Sequence, residues 1–254
     1  MKIARINLLP ALLAASILLF SCAVEQEPEW TPLFDGQTLD GWDIKFSGYE
    51  LNENFRNTFR VEDGLLVASY DEWDHFNGEF GHIFFNEPFS HYKLRVEYRF
   101  VGEQVEGGPG WAYRNNGIMF HSQSAESMEL NQDFPTSIEA QLLGGDGESE
   151  RPNMNVCTPG TQIMIDGQLR TEHCINSTSD TYHGDRWVTV ELHVYGDSLI
   201  HHLVEQDTVF TYHNPQLSDT GEPLTSGYIA LQAESHSTQF RKIEILDHSD
   251  RYKK

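Results

Sequence analysis

The sequence predicts an all-β protein, an antiparallel sandwich or jelly roll, and three observations carry that reading. Apolar and polar residues alternate with a period of two in run after run. Clusters of Gly, Pro, Asn, Asp and Ser cut those runs at short intervals. Beyond the first thirty residues there is no long helical periodicity, no heptad pattern and no internal repeat. Many short strands without helices to cover a sheet must pack sheet on sheet.

The chain begins with an address. Lys2 and Arg5 precede an uncharged run, residues 8–20. As a helix that run spans about 20 Å, short of a hydrocarbon core of roughly 30 Å, so it reads as a signal peptide rather than a membrane span. Its end, Leu19-Phe20-Ser21-Cys22, resembles a bacterial lipobox. The expectation is cleavage after residue 21, lipidation of Cys22, an acidic tether over 22–29, and one β-sandwich domain over 30–254. The protein is then lipid-anchored in the cell envelope, at the outer membrane or its periplasmic face. The membrane is reached only through the N-terminal lipid.

Strands follow in order. Residues 92–100, YKLRVEYRF, alternate apolar and charged side chains over nine positions, the pattern of a half-buried strand. Residues 187–195 alternate too, with Val188, Val190, Leu192 and Val194 on one face. Residues 199–203 and 208–212 flank Val204-Glu205-Gln206-Asp207, which reads as a hairpin. Two more strands occupy 228–233 and 240–246. Turn-forming clusters lie at 102–110, 144–152 and 218–227. The longest irregular stretch, 144–185, holds Cys157 and Cys174. In an exported protein with Cys22 acylated, that remaining pair forms a disulfide. No CxxC or HxxxH spacing supports zinc.

Charge excludes some functions. Seventeen basic residues against 39 acidic ones give a net charge of −22, so no basic footprint exists for nucleic acid or for anionic lipid. P-loop, GxSxG, HExxH and EF-hand patterns are all missing. With 39% apolar residues, a chain this long buries roughly 70–75% of its unfolded surface, so global disorder is excluded too.

Period-two geometry gathers polar side chains on shared faces. Glu139 and Gln141 project together, opposite Ile138, Ala140 and Leu142. Gln232, Glu234 and, if the strand runs that far, His236 share a face opposite Ile229, Leu231 and Ala233. His121 falls opposite Ile118 and Phe120. Three strands thus each pair an apolar face with one rich in amide, carboxylate or imidazole.

Several motifs together resemble the 3-keto-disaccharide hydrolase family. They are Trp30-Thr31-Pro32-Leu33-Phe34-Asp35-Gly36 with Leu39-Asp40-Gly41-Trp42, Phe59-Arg60-Val61-Glu62-Asp63-Gly64, and Phe89-Ser90-His91-Tyr92. Asn115-Asn116-Gly117-Ile118-Met119-Phe120, Ile138-Glu139-Ala140-Gln141, Gly227-Tyr228-Ile229-Ala230-Leu231-Gln232 and Phe240-Arg241-Lys242-Ile243 follow in family order. The chain departs from the pattern at His121, where Arg is frequent, and in the excursion with the two cysteines. The resemblance implies a concanavalin- or laminarinase-like jelly roll that binds an oligosaccharide or glycoside and acts on sugars oxidised at C3. It implies acid–base roles for Glu139, His121 and Glu234, with Asn116, Gln141, Gln232 and His236 orienting hydroxyls. Arg241 is either a substrate contact or a structural salt bridge. Trp111, Tyr113 and Arg114 lie in a Gly-rich loop suited to stacking on a sugar.

Two alternatives remain open. An ordinary glucanase of this fold carries E-x-D-x-x-E on one face; here Gln141 and Gly144 replace the second and third acids. A non-catalytic carbohydrate-binding surface lipoprotein would use the same polar residues. No cofactor is certain. A structural Ca²⁺ or other divalent metal would find oxygens at Asp35, Asp63 or the turn 144–150, but no run fixes a ligand set.

Overall fold

The computed structural model describes residues 29–249. The signal segment, Cys22 and nearly all of the tether lie outside the described residues, as do the last five. In chain order the strands are β1 (Thr31–Pro32), β2 (Trp42–Phe46), β3 (Phe59–Glu62), β4 (Leu65–Ala68), β5 (Gly81–Phe85), β6 (His91–Gln104), β7 (Asn115–Ser122), β8 (Ile138–Leu143) and β9 (Asn155–Cys157). They continue as β10 (Thr161–Ile165), β11 (Gln168–Arg170), β12 (Cys174–Ile175), β13 (Val188–Tyr195), β14 (Leu199–Val204), β15 (Asp207–Leu217), β16 (Tyr228–Ala233) and β17 (His236–Asp247).

Two antiparallel sheets result. One is ten-stranded, in the order β11-β10-β15-β14-β13-β6-β17-β4-β3 with β1 added to β17; the other is seven-stranded, β12-β9-β8-β7-β16-β5-β2. The alternation read in β6 and β13 is what joins them. Tyr92, Leu94, Val96, Tyr98 and Phe100 of β6 are all buried, as are Val188, Val190, Leu192 and Val194 of β13. Against them pack Ile118 and Phe120 of β7, Ile138, Ala140 and Leu142 of β8, and Ile229, Leu231 and Ala233 of β16, in one continuous core. Each large side chain fully withdrawn from water contributes about 1.5–3 kcal/mol. The all-β sandwich is as expected.

The hairpin at β14–β15 is also as expected. Val204 pairs with Asp207, and the two turn residues Glu205 and Gln206 have φ of 48° and 76°, the left-handed pair that matches strand twist. The excursion 144–185 differs from expectation: it contributes β9 to β12, short strands that extend both sheets at one edge. Cys157 and Cys174 are paired in register and joined by a disulfide, which pins the terminal strand β12 to β9.

Candidate active site

The outer face of the seven-stranded sheet carries the candidate acid–base residues. Period-two alternation that buries Ile138, Ala140 and Leu142 inward turns Glu139 and Gln141 outward on β8. On β16 the same rule turns Gln232 outward. Gly117 on β7 lies between them, paired with Gln141. A Cβ on Gly117 would stand 2.5 Å from Glu139 Oε1. The missing side chain is what lets the Glu139 carboxylate lie across β7 toward β16.

Glu234 reaches the same place by a corner. β16 ends at Ala233 and β17 begins at His236 in the other sheet, so only Glu234 and Ser235 make the crossing. Ser235 takes φ 87°, a left-handed value uncommon for a side-chain-bearing residue. The corner is clamped: Ser235 N–H donates to the Tyr70 hydroxyl at 2.7 Å, Val105 N–H to the Ser235 carbonyl at 3.0 Å, and Gln104 Nε2 to Ser235 Oγ at 2.9 Å.

Glu139 and Glu234 thus line one pocket of about 340 Å³. Asn115, Gln141 and the disulfide share its lining, and Trp111, Phe134, Pro159 and His173 complete it. Both carboxylates are nearly sealed from solvent, at 7% and 3% exposure. Burial pushes Glu139 up to about 8. Burial, and then the charge of Glu139, push Glu234 well above the usual carboxylate range. Two like charges in an apolar pocket resist joint ionisation, so near neutrality the pair retains a proton. Gln141 Oε1 accepts from Asn155 Nδ2 at 3.0 Å, which fixes its amide. No second carboxylate follows Glu139 on β8, as the sequence against the glucanase pattern already indicates.

Trp111 is 55% exposed and stacks on Phe80 at 5.8 Å, a face open to a sugar ring. The other expected site residues lie elsewhere. His121 sits in a β-bulge, φ 45°, where the register of β7 against β16 shifts. The bulge re-aims the ring, and Nε2 lies 3.0 Å from the carbonyl oxygen of Gly196 in the β13–β14 turn. His121 therefore bridges the layers instead of facing Glu139. His236 belongs to β17 and packs edge-on against Phe100 and Tyr113. Asn116 points inward: its Nδ2 donates to the Gln232 carbonyl at 2.6 Å and to Thr238 Oγ1 at 3.2 Å, tying β7 to both sheets. Arg114 pairs with Asp185 at 2.6 Å, and Tyr113 lies beside it; neither lines the pocket. Arg241 is exposed on the ten-stranded sheet, away from the pocket, where it pairs with Glu97 and stacks on Trp187.

Sequence reasoning missed His82. Gly81-His82-Ile83-Phe84-Phe85 alternates so that Ile83 faces the core and His82 faces outward, in register with Gln232. His173, on the exposed segment just before β12, was also missed; nothing in its neighbourhood has a period. As for a metal, the described residues bring together no group of three or more His, Cys, Asp or Glu side chains fit to hold one. Of the oxygens expected for Ca²⁺, those of Asp35 and Asp146 are engaged by the backbone: Asp35 accepts from Gln37 and Thr38 N–H, and Asp146 from Glu148 and Ser149 N–H.

Residues 29–246 match the model of a family described as a 3-keto-alpha-glucoside-1,2-lyase-like domain. A solved structure from Parabacteroides distasonis, provisionally described as a glycosyl hydrolase, is 16% identical and superposes with a TM-score of 0.51 over 85% of this chain and 98% of that one. A carbohydrate-binding module from Bacillus subtilis is 10% identical, with a TM-score of 0.47 over 87% of this chain and 97% of that one. No curated protein sequence matches the chain significantly.

Proposed function

We propose, for a chain that belongs to the 3-keto-alpha-glucoside-1,2-lyase-like family, that it cleaves glycosides oxidised at C3. The observation that carries this reading is the pair of buried carboxylates, Glu139 and Glu234, sharing an otherwise largely apolar pocket. A C3 ketone acidifies the neighbouring C2–H bond. Glu139 takes the C2 proton, and the C–H electron pair moves into the C2–C3 bond as the C3 carbonyl becomes an enolate. The enolate pair then returns, C1=C2 forms, and the C1–O bond breaks. Glu234 gives its proton to the leaving oxygen. Water adds back across C1=C2, hydroxyl to C1 and proton to C2, so the net change is hydrolysis. A base works best with its pKa near the working pH, and burial brings Glu139 there. Trp111 and Phe134 offer apolar faces for the sugar, while Asn115 and Gln141 offer hydrogen bonds to its hydroxyls.

The test incubates the purified chain with a 3-keto-glucoside and with its unoxidised parent. Release of the aglycone from the keto compound alone is expected; binding of both without release would make the protein a carbohydrate-binding module. The lipobox-like Leu19-Phe20-Ser21-Cys22 supports a lipid-anchored protein that meets its substrate in the cell envelope. Mass spectrometry of the membrane fraction is expected to find an acylated peptide starting at Cys22. A mature chain that begins elsewhere would overturn the anchor without touching the chemistry.

A further inference from the structure

Beside the carboxylate pair, the same outer face holds two polar side chains that satisfy none of their hydrogen-bonding atoms. Both ring nitrogens of His82 lack a partner, as do Nε2 and Oε1 of Gln232, and both residues are fully buried. They are neighbours in register on β5 and β16. A buried polar group left without a partner is costly, so two side by side, with four idle atoms, are a standing penalty. Folding alone does not reward that arrangement; a ligand would.

Phe134 connects His82 to the pocket. Its ring lines the pocket on one side and meets the His82 ring edge-on on the other, centroids 6.0 Å apart. The backbone around it is fastened. Gln132 Nε2 donates to the Phe134 carbonyl at 2.8 Å, Ser47 Oγ to Asp133 at 2.7 Å, and Lys45 Nζ to the Leu130 carbonyl at 3.3 Å. Phe134 itself is only partly buried, so its side chain has room to swing without displacement of the loop.

We infer that His82 and Gln232 are the hydrogen-bond donors to the ketone oxygen of the substrate, in an inner recess that opens when the Phe134 side chain turns aside. The inference rests on the proposed 3-keto-glycoside chemistry and extends it to the atom where negative charge develops. When the C2 proton leaves, that oxygen gains charge and accepts from one imidazole N–H and from the Gln232 Nε2–H. The surroundings suit the task. Burial drives His82 down to about 3, so the ring is a neutral donor throughout the working range. On the His82 side Phe84, Met119 and Ala230 form a separate apolar cluster, and a hydrogen bond to a growing anion is strongest where water is excluded. An unoxidised sugar has no oxygen that becomes anionic at this position, so the pair discriminates at the chemical step.

The full-length protein is assayed on a 3-keto-glucoside as His82→Leu, His82→Gln and Gln232→Leu. The expected result for His82→Leu is a melting temperature no lower than wild type, because idle buried nitrogens are removed, together with kcat lower by about 10²–10³ and KM within about threefold. His82→Gln, which restores an N–H donor, is expected to recover at least tenfold of that loss; a merely structural role would show no such recovery. Either leucine variant that folds and keeps kcat within threefold of wild type overturns the inference. Should wild type cleave no 3-keto-glycoside, the proposed function fails, and the recess is then judged by binding. Addition of 3-keto-glucose is expected to shift the His82 ring resonances, assigned by their loss in His82→Gln; unchanged resonances at saturating sugar refute the recess as a ligand site.

Discussion

In the proposed reaction Glu139 is the base, and its setting tells apart two side chains that the sequence leaves as rivals for that role. Its carboxylate is buried in the pocket, drawn over Gly117 and pushed up to about 8 by burial. His121 is held against the Gly196 carbonyl between the layers, and burial takes it down to about 4. Glu139→Gln keeps size and hydrogen-bonding capacity but cannot take a proton. Its kcat on a 3-keto-glucoside is expected to fall by about 10²–10⁴ with the fold intact. His121→Gln is expected to keep kcat within about threefold while lowering the melting temperature, since it disturbs a bridge between the sheets. Steady-state kinetics and thermal melts on the two variants decide the matter; a fully active Glu139→Gln removes it as the base. Glu139 was legible because its neighbours alternate cleanly. His121 departs from period-two counting because a single bulge, which the sequence does not mark, turns it to the other side. Asn116, for which the resemblance implies a substrate-orienting role, lies instead on the inward face with Ile118 and Phe120 and ties the sheets together.

At the scale of elements, the pocket wall depends on one covalent bond. β12 is two residues long and sits at the edge of its sheet, attached only to β9. So short a strand has little holding energy of its own. The Cys157–Cys174 disulfide supplies the rest, and His173 beside it lines the pocket opposite the carboxylates. In the chain-entropy model a loop of this length contributes roughly 3 kcal/mol. The double variant Cys157→Ser, Cys174→Ser is therefore expected to lose about that much stability in urea. KM is expected to rise more than kcat falls, because the wall loosens while the floor of β7, β8 and β16 stays. Unchanged stability and KM in the double variant would show that β12 holds itself. The same elements mark the limit of what the sequence discloses. β6, β13 and β16 each bury one face against the opposing sheet, and that burial writes itself as alternation. β9 to β12 are two to five residues long, too short for a period to register, and are placed by the disulfide and by pairing at sheet edges.

For the whole molecule, buried titratable groups of both kinds set opposing limits on stability. His82, His121, His202 and His236 are all buried, and desolvation drives them down from the ordinary 6.5 to about 3, 4, 4 and 4. A lowered folded-state value for a base means that the unfolded chain binds protons first. The stability these four contribute is intact above about pH 6.5 and drains away as pH falls toward 4. Glu139 and Glu234 act in the other direction. Their folded-state values are raised, so the native protein holds protons that the unfolded chain has released. Stability from this source is greatest near pH 4.5 and declines as pH rises, until Glu139 ionises near 8. Around pH 5.5 four histidines outweigh two carboxylates, so stability falls as pH drops. Above 6.5 the histidine effect is spent and the carboxylates govern. Urea unfolding across pH 5–8 is therefore expected to trace a dome with its summit between about pH 6 and 7, steep on the acid side. Glu139→Gln is expected to flatten the alkaline limb by about one proton, to steepen the acid limb by about one, and to move the summit to higher pH. A stability that is level from pH 5 to 8, or an alkaline limb unchanged by Glu139→Gln, would mean that these groups do not share the buried environments from which the mechanism is built.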